Sequence, residues 1–388
     1  MVRWNPLFRI LGIISIMLTM SSCNQRTVSE TVVVSEVIQR VYEHHFNPLN
    51  EDFSLTVDHE FKKAGIPDLD DKDWQVRLLG VRDLVRAGTN SVDEIVTGLK
   101  NSDENVRQVC AMALGILKSE KGIAGLEKLA LEDSVAVVRS QAIIALGQIE
   151  SSGSLSLLNQ ILEEDPSGDV QHQCELAIDQ IEKQMGVGKE LLNAFLSLDE
   201  TSFKTVRVGE EASDFELQDT EGKVWKLADF RSEKWVVLIW VFADWCPVCH
   251  GEFHDLMDMQ EEFNEEDIMV FSLETHDMYR GRVMVGKELE PDYWFAKESF
   301  KEAYTNRIEW PHLLDRAGAV GARYGIDPLA FAVHAEYINR PTTVIVDKEG
   351  IVRFLYRGTY WGDRPTIEQT LEMVRNQDFE FEHPNRRK

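Results

Sequence analysis

The sequence predicts a multidomain protein in which an α-solenoid of stacked helix pairs precedes an α/β domain with a central mixed sheet. The first observation is a repeat: Val76-Arg77, Val106-Arg107 and Val138-Arg139 recur at intervals of 30 and 32 residues, and Val170-Gln171 follows after another 32. The second is a change of pattern after about residue 204, where helical repeats give way to strands that alternate with helices. Helix pairs of this kind bury a core only by stacking on their neighbours, so the repeats predict an extended array.

The composition is consistent with more than one folded core, and it excludes several classes of function. The chain has 388 residues, of which 43% are hydrophobic and 28% charged, as in ordinary globular proteins. Its 67 acidic and 41 basic residues give a formal charge of −26, which repels nucleic acids and anionic lipids. We therefore expect no nucleic-acid partner.

The N-terminus has the pattern of a secretory signal. Two arginines and an apolar run at residues 10–20 come first, and the run is too short to span a bilayer. Small residues and then Cys23 follow, which resembles a bacterial lipobox with Met20 in place of the usual Leu. The resemblance implies a lipid anchor on Cys23 and an extracytoplasmic place in the cell envelope; Asn24 favours the outer membrane in a Gram-negative host. The alternative is an ordinary signal peptide that ends near a cysteine.

The repeat units share an Ala-Leu-Gly triplet, which begins at Ala113 and again at Ala145, and each unit holds a second apolar helix. They resemble short HEAT-type repeats, which implies a docking role, with a passive spacer as the alternative. The expected divisions are a signal peptide (1–22), a tether (23–70), the repeat domain (71–185), a linker (186–204), the α/β domain (205–377) and a C-terminal tail (378–388).

Polar and small side chains inside the repeats have structural interpretations. Because Arg107 and Arg139 recur at the same point of each unit, we expect them to form a ladder that pairs with acids such as Asp103 and Asp133. Cys110 and Cys174 occupy a position that takes a small residue in the other units. Two units separate them, so we expect both to be buried and free of a disulfide.

A cysteine pair follows the most apolar strand of the α/β domain. Residues 235–242 form a continuous apolar run, typical of a strand that is buried on both faces, and Trp245-Cys246-Pro247-Val248-Cys249 and a helical stretch come next. A sulfur at a helix start faces unpaired N–H groups and the positive end of the helix dipole, which favours the thiolate. The sequence therefore predicts that Cys246 is the more exposed and more acidic thiol, with Cys249 placed one turn on to attack a mixed disulfide.

These residues resemble the thioredoxin superfamily and, within it, the TlpA/ResA-like oxidoreductases. Residues 212–231 look like the N-terminal hairpin of those proteins, Glu252 stands three residues after the second cysteine, and Arg340-Pro341-Thr342-Thr343 resembles their cis-proline strand. The resemblance implies that Cys246 is the nucleophile, Cys249 the resolving thiol and Glu252 a proton-handling or pKa-tuning group. It also implies a substrate groove, formed by Trp245, Pro247, Arg340, Pro341 and Thr342.

Departures from that pattern leave other functions open. The buried Asp of thioredoxins aligns with Trp240, so Glu252 takes its role or no residue does. Arg340 before the proline is similar to peroxiredoxin-type redoxins, but Ala243 stands where those enzymes have a Thr or Ser. The leading hypothesis is a thiol-disulfide oxidoreductase that acts on protein cysteines, with a client and a separate redox partner. The alternatives are a peroxiredoxin-like antioxidant peroxidase and a redox-silent scaffold.

No cofactor is predicted, and the metal-binding patterns are weak. The Cys-x-x-Cys pair lacks a second cysteine pair, and His250 and His254 lie on one short helix, where we expect an exposed, incidental pair rather than metal ligands. Residues 276–309 and 327–339 are longer than a minimal domain of this kind needs, and we expect them to form a lid or a recognition surface.

Overall fold

The computed structural model covers most of the chain after the predicted tether. It describes residues 69–70, 74–198, 203, 206–244, 246–288, 303–304, 307–326, 332–333, 336–337, 339–358 and 364–381. The predicted signal peptide, Cys23 and Trp245 lie outside the described residues, as do parts of the segments 276–309 and 327–339. Over the described ranges, no helix combines the length and the apolar character needed to cross a bilayer.

Helix pairs build the first part of the described chain, which confirms the α-solenoid. Successive first helices of the pairs stack side by side, α3 on α5 and α5 on α7. The helices are α1 (Trp74–Ala87), α2 (Val92–Gly98), α3 (Glu104–Ile116), α4 (Ile123–Glu132), α5 (Ala136–Ile149), α6 (Leu155–Glu164), α7 (Gly168–Glu182) and α8 (Lys189–Leu196).

The Ala-Leu-Gly triplets mark the points at which neighbouring helices approach most closely. A Cβ atom at Gly115 would lie 3.0 Å from the Cα of Ala145, and one at Gly147 would lie 3.3 Å from the Cα of Ala177. Both distances are tighter than ordinary van der Waals contact. The triplet therefore recurs because only glycine lets α3 reach α5, and α5 reach α7, at this spacing.

The arginine ladder forms between one repeat and the next. Arg107 pairs with both carboxylate oxygens of Asp133, at 2.6 and 3.0 Å, and Arg139 pairs with both of Asp165, at 2.7 and 2.9 Å. The prediction is confirmed for Asp133. It is wrong for Asp103, whose side chain instead caps the start of α3 by accepting two backbone N–H groups.

Cys110 and Cys174 are buried and free, as predicted. Burial raises the pKa of the Cys110 thiol to about 12 and raises that of Cys174 as well. Neither sulfur is therefore a thiolate near neutral pH, and both act as small apolar side chains in the repeat core.

The second part of the chain contains the predicted mixed sheet. Its order is β5-β4-β3-β8-β9, in which β3, β4 and β5 are parallel while β8 runs antiparallel to both β3 and β9. The hairpin expected within residues 212–231 is also present, as β1 paired with β2. The strands are β1 (Glu216–Gln218), β2 (Val224–Lys226), β3 (Trp235–Trp240), β4 (Ile268–Glu274), β5 (His312–Leu314), β6 (Ala332–Val333), β7 (Glu336–Tyr337), β8 (Thr342–Val346) and β9 (Val352–Arg357).

Helices flank this sheet and connect its strands. They are α9 (Pro247–Glu265), α10 (Met278–Met284), α11 (Ala319–Arg323) and α12 (Ile367–Asn376). The long helix α9 packs against β4 and α12. The turn between β3 and α9 carries the cysteine pair, so the sheet fixes one side of that turn and α9 the other.

The repeats and the sheet domain share apolar contacts. Helix α8 packs on α1 and on residues 316–318 of the sheet domain. Ala319 and Ala322 of α11 belong to the same buried cluster as the repeat core, together with Leu191 and Phe195 of α8. The segment expected to be a linker therefore contributes apolar side chains to the packed core.

Candidate active site

Cys246 and Cys249 lie at the start of α9. Cys246 is the N-cap residue, and its sulfur accepts the backbone N–H of Cys249 at 3.3 Å. The two sulfurs are 2.9 Å apart, and both cysteines are free thiols. Proline at the first helical position suits a helix start, because the N–H group that proline lacks has no partner inside the helix.

Both cysteines are fully buried, with 0% of each exposed, so the expectation of an exposed Cys246 is wrong. Burial and the hydrogen bond with Cys249 raise the pKa of the Cys246 thiol well above its ordinary value. For Cys249, burial raises the pKa, but the hydrogen bond with Cys246 and the charge of Arg364 more than offset it and leave the pKa lowered. A helix start stabilises a thiolate through backbone N–H groups, but the burial of Cys246 raises its pKa against that effect.

An arginine that the sequence analysis did not identify lies behind the pair. The Nη2 atom of Arg364 is 3.9 Å from the Cys249 sulfur, and Nη1 donates to the backbone carbonyl of Trp240 at 2.5 Å. Nε of Arg364 donates to Glu252 at 2.7 Å, and Nη2 also contacts the second carboxylate oxygen. Glu252 is therefore close to the cysteines, and a guanidinium links it to the Cys249 sulfur.

The charges of this pair lie almost entirely out of water. The side chain of Arg364 is 1% exposed and that of Glu252 is 13% exposed. Burial raises the pKa of Glu252 above its ordinary value, against the lowering effect of the Arg364 charge. Because each charge offsets the other, removal of one partner leaves a desolvated charge in the protein.

A second buried ion pair fixes the backbone two residues before Cys246. Arg280 of α10 binds both carboxylate oxygens of Asp244, through Nε at 2.7 Å and through Nη2. The carbonyl of Asp244 accepts the Nε2 proton of His250 at 2.6 Å, and Nδ1 of His250 lies 3.0 Å from the Tyr304 hydroxyl. The expectation of an exposed histidine pair is therefore wrong for His250, which is buried and whose pKa burial lowers to about 3.

The indole of Trp240, at the position expected to match the buried Asp of thioredoxins, binds the buried carboxylate of Asp315. Nε1 of Trp240 donates to Asp315 at 3.3 Å, and burial raises the pKa of that carboxyl to about 6. Asp315 also accepts the N–H groups of Val320 and Gly321, at 2.8 and 2.7 Å. The acid that reaches the cysteine pair is Glu252, through Arg364.

Three of the residues predicted to form the substrate groove, Arg340, Pro341 and Thr342, lie at the same end of the sheet as the cysteines. Thr342 pairs with Trp240, the last residue of β3, and its hydroxyl donates to the carbonyl of Arg340 at 3.0 Å. Arg340 and Thr342 are buried, and Nη1 of Arg340 donates to the Gly358 carbonyl at 3.3 Å. Pro341 directly precedes β8, and its carbonyl accepts the N–H of Gly358 at 2.7 Å.

One expectation for this groove, a cis peptide bond before Pro341, differs from the structure, and two others concern side chains outside the described residues. No peptide bond among the described residues is cis, so the expectation of a cis bond before Pro341 is wrong. The trans form is the lower-energy isomer, and the backbone bond to Gly358 continues the pairing of β8 with β9. Nothing is described of Trp245 or of the Pro247 side chain.

A buried histidine and carboxylate network lies beneath α9. Glu274 accepts from Nδ1 of His276 at 3.3 Å, and its other carboxylate oxygen lies 3.2 Å from Nε2 of His312. The other ring nitrogen of His312 is 2.7 Å from the Ser272 hydroxyl, and the ring packs edge-on against Phe253 of α9. This network fixes the sheet under the helix that presents the cysteines.

Sequence reasoning missed Arg364, Arg280 and Asp244 as parts of the site. Arg364 lies 112 residues from Glu252 along the chain, and Arg280 lies 36 residues from Asp244. The sequence near Arg364 does contain a local signal for the helix that follows it. Thr366 and Gln369 form a capping box at the start of α12. No spacing or motif connects either arginine to the cysteines.

Comparison with known proteins places both domains. The profile of the HEAT repeats matches residues 66–147, and that of the AhpC/TSA family matches residues 208–355. Alkyl hydroperoxide reductase E of Mycobacterium tuberculosis is 30% identical over 149 residues, which are 38% of this chain and 84% of that protein. The chain belongs to the AhpC/TSA family.

Other relatives of this AhpC/TSA chain carry a different name. Thiol-disulfide oxidoreductase ResA of Geobacillus thermodenitrificans is 27% identical over 175 residues, which are 45% of this chain and 82% of that protein. The crystal structure of peroxidoxin BcpB from Mycobacterium tuberculosis is 22% identical, has a TM-score of 0.34 and is covered over 97% of its length, against 44% of this chain. The AhpC/TSA and ResA matches confirm the thioredoxin-like assignment and indicate an oxidoreductase.

The Glu274 network predicts a pH-dependent contribution to stability in this AhpC/TSA domain. Burial raises the pKa of Glu274, but the charge of His312 and the hydrogen bonds from His276 and His312 lower it well below its ordinary value. A lowered pKa stabilises the fold above the ordinary glutamate pKa of about 4.3, and that stability is lost as the pH falls toward the lowered value. We expect Glu274→Gln to reduce the free energy of unfolding by about 1 to 3 kcal/mol at pH 7.

Urea denaturation of both proteins at pH 7 and near pH 3 measures this effect. The difference between wild type and variant should be largest at pH 7 and should narrow at the lower pH. Glu163→Gln, at an exposed position of α6, is the matched control and should change little at either pH. A difference for Glu274→Gln that is equal at both pH values would contradict the prediction.

Proposed function

We propose that this chain is a thiol-disulfide oxidoreductase that acts on protein cysteines in the cell envelope. The observation that carries the proposal is the Cys246–Cys249 pair of free thiols, whose sulfurs lie 2.9 Å apart at the start of α9. Two sulfurs at that separation need only a small shift to form a disulfide. The relatives named thiol-disulfide oxidoreductase ResA support the same chemistry.

The exchange passes two electrons in two substitution steps. The Cys246 thiolate attacks one sulfur of a client disulfide, forms a mixed disulfide and releases the other client sulfur as a thiolate, which takes up a proton. The Cys249 thiolate then attacks the Cys246 sulfur, which releases the first client sulfur and closes the Cys246–Cys249 disulfide. A redox partner returns the two electrons to the pair. In reverse, the same steps oxidise a client dithiol.

Arg364 and Glu252 tune the second of these steps. The Arg364 guanidinium, 3.9 Å from the Cys249 sulfur, favours negative charge on the resolving thiol, as does the N–H of Phe242 at 3.3 Å. Glu252 holds the guanidinium in place and moderates its charge. In this proposal Glu252 therefore acts on the pKa of Cys249 through Arg364.

The first step requires the site to open. Cys246 is fully buried, and burial raises its pKa, so the closed state holds the nucleophile as a thiol. A client disulfide reaches the sulfur only after the residues around it move apart. Access of water then removes the desolvation cost, and the helix start favours the thiolate.

The proposal places the protein in the envelope through a lipid on Cys23. The apolar run before that cysteine and the lipobox-like residues support it. The repeats would dock the client or the redox partner, because a stacked array offers an extended surface. The groove for the client would include Trp245, Pro247, Arg340, Pro341 and Thr342.

A peroxiredoxin-like peroxidase is the second candidate, and one relative favours it. Alkyl hydroperoxide reductase E is similar over 38% of this chain. The identity of residue 243 argues against peroxidase activity. Peroxiredoxins have a hydroxyl side chain three residues before the reactive cysteine, whereas Ala243 offers only its carbonyl, which accepts the N–H of Cys246 at 3.1 Å. The guanidinium of Arg364 reaches Cys249 rather than Cys246.

Two assays on the full chain separate these functions. We expect the reduced protein to reduce the disulfides of insulin and to consume hydrogen peroxide no faster than a free thiol does. The variant with both Cys246→Ser and Cys249→Ser should be inactive in both assays and serves as the control. Fast peroxide turnover would favour the peroxidase instead, and no reaction in either assay would leave the redox-silent scaffold.

A further inference from the structure

Helix α10 lies between the repeats and the cysteine turn. It is a short helix, Met278–Met284, that follows β4 after a bend at residues 275–276. One part of it contacts the residues just before Cys246, and another part contacts the last repeat helix, α7. It therefore connects two parts of the protein that the chain itself separates by about 60 residues.

On the side of the active site, α10 contacts the turn between β3 and α9 through the buried guanidinium of Arg280. Arg280 binds both carboxylate oxygens of Asp244, and the two side chains are 8% and 0% exposed. Asp244 stands two residues before Cys246, and its carbonyl is bound by His250 on the first turn of α9. The backbone that leads into Cys246 is thus held from both sides.

On the side of the repeats, α7 holds the start of α10. Asp277 is the N-cap residue of α10: one carboxylate oxygen accepts the N–H of Arg280 at 3.1 Å, and the other accepts the Gln180 amide at 2.9 Å. The Tyr279 hydroxyl donates to Asp179 at 3.2 Å, and the ammonium of Lys183 lies 5.0 Å from the Tyr279 ring centre.

We propose that Arg280 is a positioning residue for the cysteine pair, and that α7 sets its position through Gln180 and Asp277. The ion pair with Asp244 transmits the position of α10, because two desolvated charges cannot separate without the loss of their mutual stabilisation. A displacement of α10 therefore moves Asp244, and with it the N-cap residue Cys246. The inference rests on the proposed function, since it takes the cysteine pair as the reacting centre.

Two measurements on the full chain test the inference. The first is the equilibrium of the Cys246–Cys249 pair with glutathione, and the second is the rate of Cys246 alkylation by iodoacetamide as a function of pH, read by fragment mass spectrometry. Gln180→Ala should change the equilibrium constant or the alkylation rate by about threefold or more, as expected for residues in one hydrogen-bond network. Arg280→Gln should have a larger effect, and Arg280→Lys, which keeps the charge, should recover part of it.

The chain supplies a matched control. Gln148 occupies the same position as Gln180 in the preceding repeat, 32 residues earlier, and its side-chain oxygen has no hydrogen-bond partner among the described residues. It lines a cavity of about 140 Å³ between the repeats and residues 275–280. Gln148→Ala removes the same amide without the contact to Asp277, so we expect wild-type values in both measurements.

The outcomes are distinct. If Gln180→Ala lowers the melting temperature but leaves both the equilibrium and the alkylation profile at wild-type values, the contact is only structural and the inference is wrong. The same holds if Gln148→Ala shifts them as much as Gln180→Ala does. Should Arg280→Gln fail to fold, Gln180→Ala decides alone. A wild-type pair that forms no disulfide at any glutathione ratio would instead refute the proposed function.

Discussion

Cys246→Ser is expected to abolish thiol–disulfide exchange, whereas Cys249→Ser is expected to accumulate mixed disulfides with client proteins. An alcohol cannot form the first mixed disulfide, so we expect the loss in Cys246→Ser to exceed about a thousandfold, as for other removed nucleophiles. In Cys249→Ser the first step still proceeds, but no resolving thiol follows it. Non-reducing gels of envelope extracts, with mass spectrometry of the captured proteins, measure both results.

The control for this experiment lies in the repeats. Cys174 is buried and free, and the equivalent position of another unit holds Ala142. Cys174→Ala should therefore behave as wild type in the exchange assay and should capture no client. A capture by Cys246→Ser in place of Cys249→Ser would reverse the assignment of the two roles.

The pKa values in the closed structure favour the alternative assignment, in which Cys249 is the nucleophile and Cys246 the resolving thiol. In the closed, reduced pair the pKa is lowered at Cys249 and raised at Cys246. If this order of pKa values persisted after the site opened, the thiolate at Cys249 would attack first. The trapping experiment therefore tests the opening step as well as the order of the two sulfurs.

The parts of the fold that depend on local patterns were predictable. The repeat of Val-Arg pairs predicted the stacked helix pairs, and the continuous apolar run at 235–242 predicted a strand buried inside a sheet. The position of the cysteines between that strand and a helix followed from the same run. In each case neighbouring residues carry the signal, because secondary structure and burial pattern repeat along the chain.

The surroundings of the cysteines were not predictable in the same way. Arg364 and Arg280 bind carboxylates that lie 112 and 36 residues away along the chain, and no local sequence pattern identifies the partner of an arginine. The burial of Cys246 was missed for a related reason. A helix start predicts a positive electrostatic potential at the sulfur. The solvent exposure of the sulfur, however, depends on segments far away in sequence.

Arg364→Met is expected to lower the free energy of unfolding by about 3 to 5 kcal/mol, because it leaves the carboxylate of Glu252 buried without its partner. Urea denaturation near pH 7 measures the loss. Arg375→Met is the matched control, since Arg375 of α12 pairs with Glu262 of α9 and with Glu266 just after it, but on a surface open to water. Its loss should cost much less, because water screens those charges. Equal losses in the two variants would contradict a buried ion pair at Arg364.

The double variant Arg364→Met with Glu252→Leu separates stability from reactivity. Replacement of both charges by apolar groups removes the unpaired carboxylate, so we expect most of the lost stability to return. The positive charge 3.9 Å from the Cys249 sulfur is still absent, so the pKa of Cys249 should stay raised relative to wild type. The pH profile of Cys249 alkylation measures this pKa. If the profile returned to that of wild type together with the stability, Arg364 would serve only to compensate Glu252, and the resolving thiolate would owe its stability to Cys246 and the N–H of Phe242.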